Sequence, residues 1–305
     1  MAILEVKQLS KQFNSHSVIQ NVSFSVPDGC IFGFLGQNGA GKTTMLNLIL
    51  GLLKPSDGEI YVCGERVNYG ETKTNRLIGY LPDVPEFYPY MNAREYLKLC
   101  GEVTGMSKDQ IKSKSEELLH LVGLYNVNQK IGRFSRGMKQ RLGIAAALLN
   151  EPKLLICDEP TSALDPIGRK EILDILLAVK EKTTVIFSTH ILSDVERICD
   201  QVAILHQGQL VLNGSLHEMK QYRKQNLISL EFQKIEDKVR MLEALQSLDF
   251  ITKLEVEENK LMMSVDNLRD GGRKVLEIAL QLNISLQKYE VLEPTLESLF
   301  MEVVR

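Results

Sequence analysis

Between residues 36 and 43 the chain reads Gly36-Gln37-Asn38-Gly39-Ala40-Gly41-Lys42-Thr43, which fits the spacing G-x-x-x-x-G-K-[ST]. The chemistry of that spacing is anion binding. Glycines let the backbone approach phosphate oxygens closely and turn successive N–H groups toward them. Lys42 supplies a compact positive charge for the outer phosphates, and the Thr43 hydroxyl, with Thr44 beside it, suits a magnesium ion. A second group lies at Asp158-Glu159, after the apolar run Leu154-Leu155-Ile156-Cys157 and before Pro160. A carboxylate at the carboxyl end of a buried strand can hold Mg²⁺ through water, and Glu159 next to it can polarise an attacking water.

Three further stretches suit the same chemistry. Ser135 is a good N-cap for the helix that follows Phe134, and that alone would account for it. The same helix start, with its hydroxyl and the Gly137 N–H, can also point at a second phosphate. Ser162-Ala163-Leu164-Asp165 follows the Asp-Glu-Pro turn. Ser188-Thr189-His190 closes the next strand, where His190 is placed to contact a γ-phosphate.

These groups need a frame. The apolar run 30–35 reads as a buried strand entering the first loop, and 44–50 as the helix leaving it, an arrangement whose helix N-terminus favours phosphate. Strand patterns at 3–9 and 18–26 precede it, and 59–63 follows it. From about 93 to 149 the periodicity is helical, in three segments. Strand and helix patterns then alternate to residue 212. The expected fold is α/β: a mixed, largely parallel sheet, N-terminal antiparallel strands and a helical subdomain at 93–149. The polar stretch 220–226 reads as a linker, giving domains 1–220 and 221–305. Beyond it a β-α-β-β-α-β order predicts a small α+β, ferredoxin-like module, with a last helix over 295–304.

Composition narrows the function. With a net charge of −3 and no basic block, nucleic acid is not an expected partner. No apolar stretch approaches the roughly 18 residues that span a bilayer, and the N-terminus shows no signal-peptide pattern. Five cysteines without a C-x-x-C pair, in apolar surroundings, read as reduced buried thiols rather than disulfides or a zinc site.

Taken together and in this order, the motifs at 36–44, 135–137, 158–159, 162–165 and 190 resemble the nucleotide-binding subunit of an ATP-binding cassette (ABC) transporter, over about residues 1–220. The resemblance implies a P-loop NTPase cassette, a cytoplasmic location on the inner face of the cell membrane, and ATP and Mg²⁺ as cofactors. It implies Glu159, His190 and Lys42 as catalytic residues and Thr43 and Asp158 at the metal. ATP would be held by Gly36 to Thr44, by Phe13 stacking on adenine, and by Ser135, Gly137 and Asp165. Each ATP would lie between the phosphate loop of one subunit and the Ser135 helix of another, in a head-to-tail dimer with a second copy or a paralogue. The remaining partner would be an integral membrane permease.

Two positions depart from the family pattern. Arg136 replaces a glycine in the Ser135 motif, with solvent slightly favoured over phosphate as its environment. Asp83 stands where a glutamine is usual; it cannot donate a hydrogen bond when ionised but can bind magnesium-bound water. The segment 293–300 resembles the tail of bacterial exporter ATPases with separately encoded permeases, such as drug, antibiotic-resistance and lantibiotic-immunity pumps. The alternatives are a soluble non-transport ATPase of the same family and an ATP-switched regulatory protein.

Overall fold

The computed structural model describes residues 2–70, 73–222, 226–246, 248–292 and 296. The last helix expected over 295–304 and the motif at 293–300 fall outside the described residues apart from Leu296. The chain divides into two compact units, one running to Leu216 and the other beginning at His217.

The first unit is built on two sheets. Strands β1 (Ala2–Phe13) and β2 (His16–Pro27) form a hairpin, each longer than its apolar pattern suggests. They join β4 (Asp57–Val62) and the two-residue β5 (Glu65–Arg66) in an antiparallel sheet of order β2-β1-β4-β5. The second sheet contains β3 (Ile31–Leu35), β6 (Ile78–Leu81), β7 (Leu154–Asp158), β8 (Thr184–Thr189), β9 (Gln201–His206) and β10 (Gln209–Ser215). Its order is β10-β9-β3-β8-β7-β6, parallel throughout except for the pairing of β10 with β9. β3, β7 and β8 are buried at every position, which is why they read as unbroken apolar runs rather than alternating ones. One core joins the sheets: Phe24 from β2 stacks on Phe32 and Phe34 from β3 at 5.6 and 5.8 Å between ring centres.

Helix α1 (Lys42–Ile49) follows β3 and buries Met45, Leu46, Leu48 and Ile49 in that core. The helical region comprises α2 (Ala93–Val103), α3 (Lys108–Leu121) and α4 (Arg136–Leu148). Each begins where a side chain can accept a first-turn N–H: Asn92 and Ser107 form reciprocal capping boxes with Glu95 and Gln110, and Ser135 caps α4. Helices α5 (Pro166–Val179) and α6 (Leu192–Ile198) complete the first unit, and α7 (Leu216–Tyr222) begins at its last residue and otherwise belongs to the second. The stretch read as a linker is therefore helical as far as Tyr222.

In the second unit, β11 (Leu227–Phe232), β12 (Ile251–Val256), β13 (Lys260–Val265) and β14 (Leu286–Leu292) form an antiparallel sheet of order β12-β13-β11-β14. Helices α8 (Ile235–Leu245) and α9 (Leu268–Gln281) share its core with Ile228, Leu230, Met241, Met263 and Val275. That order is ferredoxin-like. No described helix is long and apolar enough to cross a membrane.

Strand β6 was not expected from its four residues, yet it sets the position of α4. The two elements pack closely: a Cβ on Gly79 would lie 2.2 Å from the Ala147 backbone O, and one on Gly143 would lie 2.4 Å from Leu81 Cδ1. Replacing Gly79 with Ala must push β6 and α4 apart, at a cost of about 1–3 kcal/mol. A thermal melt should show Tm lowered by roughly 2–4 °C per kcal/mol for a chain of this size.

Candidate functional site

The strand ends converge first at the glycine loop. Leu35 ends β3 and Lys42 starts α1, so residues 36–41 must reverse the chain in six positions. Gly41 caps α1 at φ 105°, a backbone region in which a side chain is strained. A Cβ on Gly36 would meet Leu205 O at 2.6 Å, so the loop lies against β9. No side chain caps the first turn of α1. Its N–H groups are therefore available to an anion, which the positive end of the helix favours. Gln37 O closes the loop by accepting from Ala40 N at 3.1 Å.

Lys42 is 6% exposed. Its Nζ donates to Gly36 O at 2.7 Å and lies 3.2 Å from Glu159 Oε1. Glu159 Oε2 is 2.9 Å from His190 Nδ1, so one carboxylate bridges the phosphate-loop lysine and the histidine beyond β8. Its backbone is held as well: Glu159 N donates to Ser188 O at 3.1 Å and to Ser188 Oγ at 3.0 Å. Glu159 and Ala163 sit at φ 47° and 52°, conformations that cost non-glycine residues about 1–3 kcal/mol each and persist only where the surroundings enforce them.

Asp158, 3% exposed, accepts from Thr43 Oγ1 at 2.8 Å and from Ser188 Oγ. Thr43, Asp158 and Ser188 thus form an oxygen-rich group at adjacent strand ends. Hard oxygen donors with few protein ligands fit Mg²⁺, which keeps several waters and needs one or two carboxylates. Thr43 and Asp158 would hold it; Ser188 orients the carboxylate, and its burial at a strand's carboxyl end was the available sequence signal.

The remaining expected residues form separate groups. Ser135 caps α4, accepting from Met138 N at 3.2 Å, and Gly137 faces open space with Leu164 as its near neighbour. Among the described residues no hydrogen bond or ion pair joins them to the Lys42–Glu159 group. Asp83 follows β6 and pairs with Arg136, Oδ1 to Nη2 at 3.3 Å, while its backbone O accepts from Gln140 Nε2 at 2.6 Å. Arg136 therefore faces solvent, as expected, and has an acidic partner there as well; no described contact joins Asp83 to Thr43 or Asp158. Asp165 caps α5, accepting from Gly168 N at 3.1 Å. Phe13, at the end of β1, is exposed with Lys11 Nζ 4.7 Å from its ring centre.

All five cysteines are free. Burial pushes the Cys157 and Cys199 thiols upward and that of Cys30 to about 11, so none of the three is a nucleophile near neutral pH. Burial also raises Tyr80 to about 12, with Asp158 adding to the effect.

One buried group escaped the sequence reading. Asp194, 3% exposed, accepts from Thr161 Oγ1 at 2.7 Å and from Arg169 Nη2 at 2.7 Å. No spacing could signal it, because its partners lie 33 and 25 residues away.

Comparison with known proteins adds an independent line. Residues 19–162 match the family model described as "ABC transporter". The "Uncharacterized ABC transporter ATP-binding protein YxlF" of Bacillus subtilis (strain 168) is 39% identical over 305 residues, covering 99% of both chains. The "Bacitracin transport ATP-binding protein BcrA" of Bacillus licheniformis is 37% identical over 99% of this chain and 97% of its own length. Among solved structures, a dimeric ATP-binding cassette in a post-hydrolysis state with ADP and Pi superposes with a TM-score of 0.63 at 28% identity, covering 70% of this chain and 98% of that one. With near full-length similarity to ATP-binding subunits, and with a glycine loop, two carboxylates and a histidine gathered at the carboxyl ends of neighbouring strands, this chain belongs to the ABC transporter family as an ATP-binding, ATPase subunit.

Proposed function

We propose that the chain is the ATP-hydrolysing motor of an exporter, energising a separate membrane permease by ATP-driven, head-to-tail pairing with a second copy or a paralogue. The observation that carries this reading is the position of Glu159 between Lys42 and His190. Glu159 neutralises the buried lysine. Phosphate oxygens of ATP, bound on the α1 N-terminus, take over Lys42 Nζ by charge-assisted hydrogen bonds. Glu159 is then free to accept a proton from an attacking water, with His190 Nδ1 fixing its second oxygen. Mg²⁺ held by Thr43 and Asp158 would supply charge neutralisation for the developing phosphate transition state.

The pairing is supported by the separation within one chain of the Lys42 group from the Ser135–Gly137 start of α4. A second chain could bring its own α4 to the first chain's phosphate, and the solved cassette bound to ADP and Pi is dimeric. Phe13 and Asp165 belong to this reading as nucleotide contacts. The bacitracin transport relative supports export of an antibiotic-like cargo and, with it, a permease partner and a location on the inner face of the membrane. Docking on that permease falls to the segment after Asp83, where Val84, Tyr88 and Tyr90 are exposed beside a groove of about 330 Å³ lined by Pro85, Phe87, Ile131 and Lys139.

Replacing Glu159 with Gln should lower turnover by about 10²–10⁴-fold, the range for loss of a general base, while ATP still binds. Light scattering with ATP and Mg²⁺ should show a paired species; a variant that binds ATP and stays monomeric overturns the motor model. Replacing Lys42 with Ala removes a charge-assisted contact worth about 1.5–3 kcal/mol, so ATP affinity should fall roughly 10–100-fold in a calorimetric titration. An unchanged affinity would show that residues 36–44 do not hold the phosphates.

A further inference from the structure

The Glu159 backbone is strained, and the residue that restrains the loop after it lies outside every motif. We infer that Asp194 is a positioning residue for hydrolysis: through Thr161 it pins the loop that aims Glu159, and through Arg169 it ties that loop to α5. This inference rests on the assignment of Glu159 as the base and deepens it.

The geometry is specific. Thr161 is fully buried and lies midway between Glu159 and Ala163, the two residues held at positive φ. The chain between them makes two tight turns, closed by Ser162 N on Glu159 O at 3.0 Å and Leu164 N on Thr161 O at 3.3 Å. A conformation of this kind persists only where its surroundings over-determine it. On one side Ser188 holds the Glu159 N–H. On the other, the Thr161 hydroxyl is the anchor, and it donates to Asp194 Oδ2.

Asp194 uses its second oxygen differently. Oδ1 receives Arg169 from the first turn of α5, just beyond the Asp165 cap. Asp194 itself stands in the first turn of α6, four residues after His190. One buried carboxylate therefore joins three segments: the turn after Glu159, the helix after Asp165 and the helix after His190. Without it, the turn can relax toward ordinary backbone angles, and the Glu159 carboxylate swings away from the line between Lys42 and His190. Asp194 acts through Thr161 and Arg169, and among the described contacts it touches neither Lys42, Glu159 nor His190.

A merely structural role and this one differ in what they move. Thr161→Val keeps the volume and removes the hydroxyl; Thr161→Ser keeps the hydroxyl. With Asp194→Asn as the second variant, each is assayed for kcat, KM and ATP affinity, and for amide exchange of residues 159–165 in the nucleotide-free chain. Thr161→Val and Asp194→Asn should lower kcat about 10–100-fold, the scale of a 1 Å misplacement, with ATP affinity within about 3-fold of the parent. Thr161→Ser should retain turnover, and exchange at Ser162 to Leu164 should quicken in Thr161→Val alone of the two threonine variants.

In a Glu159→Gln background, Thr161→Val should produce no further loss, because the residue it positions is already disabled. Wild-type kcat in a folded Thr161→Val chain overturns the proposal. So does parallel loss of ATP binding and turnover, or an equal loss in the Glu159→Gln background. If Glu159→Gln alone hydrolyses ATP normally, the base assignment falls instead. The exchange comparison then judges the pin separately: unchanged exchange at Ser162 to Leu164 in Thr161→Val overturns it.

Discussion

A lysine charge buried to 6% exposure must always have an anion beside it, and the site is organised around that requirement. Breaking a buried ion pair from one side leaves an uncompensated charge and is far more costly than losing a surface pair. In this chain the partner is Glu159, drawn from the far side of the sheet edge, with Gly36 O sharing the ammonium. The pairing gives the buried ammonium an anion supplied by a different strand end. It also ties the lysine of the glycine loop to the carboxylate that follows β7.

The parallel sheet makes the pairing possible. β3, β8 and β7 lie side by side with their carboxyl ends level, so the glycine loop, His190 and the Asp158–Glu159 pair meet although more than a hundred residues separate the first from the others. Because these strands are buried on both faces, their polar residues are confined to the ends. Ser188 is the telling case: at the end of β8 it bonds the Asp158 side chain and the Glu159 backbone, holding metal and base candidates in fixed relation.

Helix α4 answers to a different constraint. Glycines at 79 and 143 let it lie directly on β6, and Gln140 and Arg136 then reach Asp83 in the loop that follows that strand. The two residues that depart from the family pattern are thus partners of one another. A cation in the first turn of a helix opposes the helix dipole, and the Asp83 carboxylate offsets it. The start of α4 and the exposed segment beyond Asp83 consequently form one connected surface on the cassette.

The phosphate loop, Asp158-Glu159 and Ser135 were legible in the sequence because backbone chemistry demands particular residue types at short, fixed spacings. Helical periodicity at 93–149 and the β-α-β-β-α-β order after 226 were legible for the same reason: each is a local pattern. Strand β6 was not, since four residues carry no usable period. Nor was the Asp83–Arg136 pair, whose members are 53 residues apart. Asp194 and Thr161 carried no motif at all, Ser188 only its place in the stretch before His190, and the tertiary structure alone brings the three to Glu159. Sequence by itself determined which groups could bind phosphate and activate water, because that depends on residue type and local backbone. Which carboxylate neutralises Lys42, what restrains the strained turn after Glu159 and where α4 begins relative to Asp83 were decided by the packing of distant segments, since burial, and not spacing, is what obliges those charges to find one another.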